Sequence, residues 1–463
     1  RAAFTSLGAL PLVAAFGRRI AGEQAGGRSR LLSSLVERPR GLLADVVRAG
    51  APPPSEALIW ALGLGSFGLA WSISTVAVYL PSVLQRFTDA DSLIGLTLAA
   101  EGLFALTLSL VVGPLSDATR SPLGRRRPYL VAALPPLAIS LSFLGTLPSL
   151  PATAALLFLF FVAYYIYEPP YRSLYADVLP SGVMGRAQSA AHVLRGLAMA
   201  GALVSGGVAL AAWRPLPFLV AAVVTLVACA FVPLHVSEAA PPVAPRRTLR
   251  AQLAASARVA RRDDAVRRFF IANTAWEATF AGMRTFVVLY VVEGLDQSLQ
   301  VASAVLATVT AGYLLAAVVL GPFVDQLGIG RVILVASVVY GLGLFAAGFA
   351  TRWHDWYYAL ILPVAIAGGA VMALAWGLLF KLLGDHDLGA GVGLGIAARG
   401  LGLLIGPPLM GITVDAFRPI LTSTDGYGAV WPAVAVPILA VIPLVARLAR
   451  LERDQVLRTE PAP

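Results

Sequence analysis

Apolar residues in this chain come in long unbroken runs rather than on one face of a repeating pattern. From Ala57 almost to the C-terminus, stretches of Leu, Val, Ala, Phe and Gly recur between short polar breaks. Runs of roughly 20 residues suit the roughly 30 Å of hydrocarbon in a bilayer. A segment inside hydrocarbon has to satisfy its own backbone hydrogen bonds, so runs of this length predict helices and not barrel strands. They place candidate spans at 57–81, 92–115, 129–147, 152–176, 187–211 and 216–236, and a second set at 269–293, 299–323, 332–350, 355–381, 389–414 and 428–447. The expectation is an all-α membrane protein of twelve transmembrane helices, with six-helix bundles at 57–236 and 269–447 and a linker at 237–268.

Composition agrees: 58% of the 463 residues are hydrophobic and 13% charged, with a mean hydropathy of +0.78. A soluble fold cannot bury that much apolar surface. The net charge of +10 would suit nucleic acid, but its placement argues against that partner. The arginines stand in alternate loops, as when positive residues stay on the cytoplasmic side. Arg120, Arg125, Arg126 and Arg127 follow span two; Arg246, Arg247, Arg250, Arg258, Arg261, Arg262, Arg267 and Arg268 fill the linker. Arg447, Arg450, Arg453 and Arg458 mark the tail, 448–463, whereas the opposite loops at 147–152 and 294–298 hold no Lys or Arg. Both termini and the linker are therefore predicted cytoplasmic, in an inner cell membrane. Residues 1–56 hold one short apolar piece, Ala2 to Phe16, with Arg18, Arg19, Arg28 and Arg30 after it. A secretory signal has its charges before the apolar core, so this stretch reads as a cytoplasmic extension, with an interfacial anchor as the alternative.

No constellation suggests catalysis. Cys229 is the sole cysteine, and His192, His235, His354 and His386 are scattered, so no metal site and no cofactor are expected. No phosphate-binding Gly-x-x-x-x-Gly-Lys loop is present, so ATP hydrolysis by the chain itself is not expected.

An internal repeat relates the two halves. Gly113-Pro114-x-x-Asp117 after span two returns as Gly321-Pro322-x-x-Asp325 after span eight, followed by Gly328 and Arg331. Arg195-Gly196-Leu197 in span five returns as Arg399-Gly400-Leu401 in span eleven at nearly the same offset. Two pseudo-symmetric bundles suit alternating access about a midplane site. Asp117 with Arg125, Arg126 and Arg127 a short loop away reads as a gating latch between helices, with Gly113 permitting close approach and Gly124 in the turn. Asp325 and Arg331 are its counterparts, and a simple retention signal is the competing reading.

The stretch from Gly113 to Tyr129 resembles the signature loop of the major facilitator superfamily, and the chain is identified on it as having the major facilitator fold. In its fuller form, Ala118-Thr119-Arg120-Ser121-x-x-Gly124-Arg125-Arg126-Arg127-Pro128-Tyr129, it is similar to the glycoside–pentoside–hexuronide:cation symporters and the sucrose transporters. Phe67-Gly68-x-Ala70 with Ser74 and Tyr79 resembles the first helix of the sucrose branch. Glu168-Pro169-Pro170-Tyr171-Arg172-Ser173-Leu174-Tyr175-Ala176-Asp177 combines span-four features of both branches. The resemblance implies carriage of a sugar or glycoside. The two acids that hold the coupling cation in melibiose-type symporters fall on Ala105 and Ser109, which leaves a proton as the expected coupling ion. Their sugar-binding acid falls on Ala70, and the earlier span-four acid of the sucrose branch falls on Phe161.

Charges inside the spans are the remaining candidates, because each costs roughly 2.5–3.5 kcal/mol to insert and needs a partner or a watery cavity. They are Glu101, Glu168, Arg195, Glu277, Arg284 and Arg399. Glu168 and Arg195 lie on neighbouring spans and are expected to share a cavity as solute ligands, or to form a structural ion pair; the resemblance places a sugar-contacting Arg at Arg195. Arg172 reads as a gating or solute residue, or as a snorkelling charge. Tyr164, Tyr165 and Tyr167 offer a stacking surface or packing, Trp276 is a further candidate solute contact, and Asn273, Thr274 and Trp276 make span seven polar. Glu168, Glu277 and Glu101 are the candidate proton carriers, with a helix–helix hydrogen bond of the neutral acid as the competing reading of Glu101. Glu277 and Arg284 are two turns apart and are expected to reach other groups. The expected function is proton-coupled sugar symport by a monomer among membrane lipids; the alternatives are an exporter of amphipathic compounds and a transport-inactive sensor or scaffold.

Overall fold

The computed structural model describes residues 56–180, 183–238, 258, 261, 263–319, 324, 326–383 and 388–459. The expectations for the extension at 1–55, for most of the linker and for Asp325 lie outside these residues. Within them every regular element is helical. The first six spans are Glu56–Leu84, a broken pair Asp91–Leu98 and Ala100–Ala118, Arg127–Phe143, Leu150–Val178, Met184–Ala212 and Leu216–His235. The second six are Asp264–Leu289, Leu299–Val319, Ile329–Ala347, Tyr357–Leu383, Leu388–Phe417 and a broken pair, Val430–Ala440 and Ile442–Thr459. Ten of these spans are long and apolar enough to cross a membrane on those grounds alone. Span three is short, at 17 residues. Span seven carries Arg267, Arg268, Glu277 and Arg284. Two boundaries move furthest: span seven starts five residues early because Asp263 caps it, accepting from the Ala265 and Val266 N–H groups at 2.8 and 3.2 Å. Span twelve runs on through residues read as tail, up to Thr459.

Packing repeats between the halves. Span one lies against five and six as span seven lies against eleven and twelve; two and three flank four as eight and nine flank ten. The halves meet where two packs on eleven, five on eight and one on seven. Small residues make the two–eleven seam: a Cβ on Gly102 would stand 2.6 Å from the Gly400 carbonyl and 2.7 Å from the Leu404 Cα. Close backbone approach of this kind is how helices associate in lipid, where apolar burial supplies no force. Outward faces carry Leu96, Val223, Val227, Leu234 and Val335, all exposed, as contact with acyl chains demands.

Candidate functional site

A connected cavity of about 2350 Å³ lies partly between the halves and partly among spans eight, nine and ten of the second half. It reaches the linker side of the molecule at Asp117, Gln188 and Arg258, and an arm extends among spans eight, nine and ten to Trp353, Trp356 and Tyr357 at the opposite, far side. Glu168, Arg172, Arg195, Glu277, Arg284 and Arg399 all line it, so the charges that had no place in lipid converge from spans four, five, seven and eleven. Glu168 takes Nε and a terminal nitrogen of Arg172 at 3.0 and 2.8 Å, and Arg399 of the other half stands 4.0 Å away. Arg195 makes no ion pair or hydrogen bond to Glu168, although it lines the same cavity. The two share the cavity but not an ion pair: residues four apart share a helix face, so Arg172 reaches Glu168 first. Glu101, on span two, is hydrogen-bonded by Arg284 of span seven. Its carboxylate is therefore held in a cross-half pair, and Arg284 reaches to the other half rather than to Glu277. Glu277 is itself buried with its Cβ against Gly402 and makes no hydrogen bond or ion pair among the described residues. It feels the charges of Arg399, Arg284, Glu101 and Arg195 around it.

The aromatic candidates separate. Tyr165 lines the cavity, and its hydroxyl is buried without a hydrogen-bond partner among the described residues. Tyr164 and Trp276 are packed at 0% and 1% exposure and do not line the cavity in this arrangement. Trp276 precedes Glu277, and one helical step turns it about 100° away from the face that Glu277 presents. Tyr167 and Tyr171 bind span four to its neighbours, donating to the Cys229 carbonyl at 2.8 Å and the Leu62 carbonyl at 2.6 Å.

The signature loop ties one half together. Arg126 pairs with Asp117, and both Arg125 and Arg126 pair with Asp177 at the end of span four. Glu238, beyond span six, accepts the backbone N–H groups of Arg125, Arg126 and Arg127 at 2.8, 2.9 and 2.8 Å, where span three begins. A carboxylate at a helix N-terminus satisfies orphan donors and meets the positive end of the dipole. Gly124 holds φ at +98° in the preceding turn, a region that other residues reach only with strain. Gly113 lines the cavity, and a Cβ added to it would meet nothing within 4 Å in this arrangement. The second half repeats part of this device: Gly328 has φ +81°, and Glu452 accepts from the Ile329 and Gly330 N–H groups at 3.2 and 2.6 Å. There Lys381 pairs with Glu452 at 2.9 Å, and Arg331 is exposed without an ion pair among the described residues. Asp325, the partner expected for Arg331, lies outside the described residues.

A lock between the halves sits on the far side instead. Arg418, just past span eleven, pairs with buried Asp91 at the start of span two and donates to the Asp89 carbonyl at 2.8 Å. Asp415 accepts from the Asp91 and Ser92 N–H groups at 3.0 and 2.9 Å, capping span two from the opposite half. Tyr427 donates to Asp91 at 3.0 Å and receives the Gln85 amide at 2.7 Å. Asp89 and Asp91 before one span, with Asp415 and Arg418 at the end of another, were a visible signal of charge at two facing helix ends. Among the described residues the ion pairs joining the halves are this one, Glu101–Arg284 and Glu168–Arg399, at the far side or within the spans.

Two six-helix halves around a shared, charged cavity, locked at one side, define a membrane carrier. The chain belongs to the Major Facilitator Superfamily, whose family model matches residues 62–297 and 278–463. It is a multi-pass secondary transporter. Among solved structures, the nucleoside transporter NupG is 14% identical with a TM-score of 0.69, covering 84% of this chain and 98% of that one. A bacterial homolog of the human lysosomal transporter Spinster, inward-facing and occupied, is 13% identical with a TM-score of 0.67, over 89% of this chain and 100% of its own. The POT family transporter PepTSo is 12% identical with a TM-score of 0.69, over 87% and 99%. At such identities the likeness shows the fold. No curated protein matches the chain.

Proposed function

We propose that this chain is a proton-coupled symporter of a sugar, glycoside or similarly hydroxylated solute, working by alternating access in the cell membrane. The observation that supports it best is Glu277, a buried acid with no hydrogen-bond or ion-pair partner among the described residues, in a cavity region where Glu101 and Glu168 are both held by arginines. A proton taken up there neutralises the one unpaired acid, and the loaded carrier can then reorient without moving a bare carboxylate between environments. Tyr165, Ser66, Ser74, Ser109, Ser173 and Gln188 line the same cavity and can hydrogen-bond solute hydroxyls. With the arginine-rich linker on the cytoplasmic side, the locked far side faces outward and the arrangement is inward-facing.

The test is a pH-reporting dye in proteoliposomes to which solutes are added outside. Solute-dependent alkalinisation of the outer medium, lost in Glu277→Gln while solute exchange persists, is the expected result. Acidification on solute entry would contradict symport and favour export by proton exchange. That second reading draws on the apolar arm lined by Tyr313, Tyr340, Trp353, Ile361 and Val364, which suits an amphipathic molecule. Proton movement with no dependence on any solute would contradict both.

A further inference from the structure

We infer that the transported solute is a monoanion, its negative charge held between Arg195 and Arg399. The inference rests on the carrier reading above and narrows the chemistry of the same site.

In the middle of the spans four arginines, Arg172, Arg195, Arg284 and Arg399, face three acids, Glu101, Glu168 and Glu277, while Asp117 and Arg258 at the linker-side mouth add one charge of each sign. Two pairs are made at hydrogen-bond distance, Arg284 with Glu101 and Arg172 with Glu168. Arg399 has a contact of only 4.0 Å with Glu168, which Arg172 already occupies. Arg195 has no ion pair or hydrogen bond among the described residues, yet it lines the cavity. The two under-partnered guanidiniums are the repeat mates of spans five and eleven, one from each half. Pseudo-symmetric cations on opposite walls suit one shared ligand whose charge joins the halves. A guanidinium has five donors in a planar fork and cannot lose its proton, so the unmet donors call for an acceptor with negative charge. A carboxylate meets that demand in a bidentate way; hydroxyls meet it without charge.

The groups facing Glu277 complete the account: Arg284 on its own span, Glu101 on span two, Tyr313 on span eight, Arg195 on span five and Arg399 on span eleven. With Glu277 ionised, arginines exceed acids by one. Binding one proton and one monoanion adds charges of opposite sign, so the loaded site has the same net charge as the empty one. A neutral solute with a proton would leave the loaded site one unit more positive inside a low-dielectric wall, which is the costlier state to move.

The experiment is isothermal titration of the purified full chain with matched pairs, lactose against lactobionate and sorbitol against gluconate. Equal ionic strength is kept with sodium chloride, so that general screening does not differ between members of a pair. The expected result is binding of the acid member with at least about tenfold higher affinity, and a loss of about tenfold to a hundredfold in Arg195→Gln and in Arg399→Gln. Arg195→Lys keeps the charge and is expected to lose less than Arg195→Gln. Ligand-free melting temperatures identify any variant that has failed to fold, in which case the lysine variant decides. Equal or stronger binding of the neutral members overturns the inference and leaves the carrier standing. Acid binding that persists in both glutamine variants overturns it as well, as does the absence of any binding by either acid up to tens of millimolar. Solute flux in vesicles judges the carrier reading separately.

Discussion

Replacing Arg418 by glutamine removes the charge that holds the two halves together on the far side. Asp91 would keep the hydroxyl of Tyr427 but lose its counter-ion, with its side chain only 2% exposed. Stripping one partner from a buried ion pair costs about 3–5 kcal/mol. Arg418 is itself 30% exposed, so water offsets part of the loss and about 2–3 kcal/mol is a fair figure. Both groups are solvated once the halves part, so the cost falls on the closed arrangement alone. At about 1.4 kcal/mol per tenfold change, the ratio of far-side-closed to far-side-open molecules should fall by roughly 30- to 150-fold. Spin labels at Thr146 and Arg352, exposed in far-side loops of the two halves, report this separation by pulsed electron–electron resonance. Cys229 is the single native cysteine, and Cys229→Ala clears the background. Its backbone carbonyl, which Tyr167 uses, remains. A longer-distance population in Arg418→Gln is the expected outcome. Superimposable distance distributions in parent and variant would refute the lock.

Three further outcomes follow from the geometry. Glu101→Arg or Arg284→Glu alone places like charges together within the spans and should cost about 3–5 kcal/mol, while the double exchange restores the pair; thermal unfolding in detergent measures whether the second change rescues the first. Glu238→Ala uncaps span three, and Glu452→Ala uncaps span nine; each should lower stability by about 1–2 kcal/mol without changing which solutes bind, and a variant that melts with the parent would show that the caps carry nothing. Solute uptake should respond to an imposed pH gradient and not to a potassium diffusion potential, since proton and monoanion cancel; potential-driven uptake at constant pH would contradict the charge matching.

The twelve spans could be read from the sequence because a membrane imposes length and apolarity on each one separately. Span seven broke that rule in an informative way: Glu277 and Arg284 make it too polar for lipid, and both line the cavity. The repeat pointed to Arg195 and Arg399 as equivalent, which the matching positions in spans five and eleven bear on directly. Pairings were harder to read. Arg172 captures Glu168 because four residues is one turn, a local rule that was available and outweighed the choice of Arg195. Glu101 with Arg284, and Asp91 with Arg418, join residues of opposite halves, and no local periodicity encodes which cross-half partner a buried acid meets. Gly113, expected to permit close helix approach, has open space around it in this arrangement, while Gly102 makes the tight seam against Gly400 and Leu404. Small residues state that close approach is possible, and only the packing states where it occurs.

Solute counterflow addresses the carrier claim most directly. Proteoliposomes holding a high concentration of unlabelled lactobionate, diluted into labelled lactobionate with no pH gradient, should accumulate label transiently above the outer concentration. Such overshoot arises when one binding site is presented in turn to each side. Simple equilibration without overshoot would mean a pore, and no entry of label beyond that in empty vesicles, for lactobionate and lactose alike, would contradict transport through the cavity between the halves.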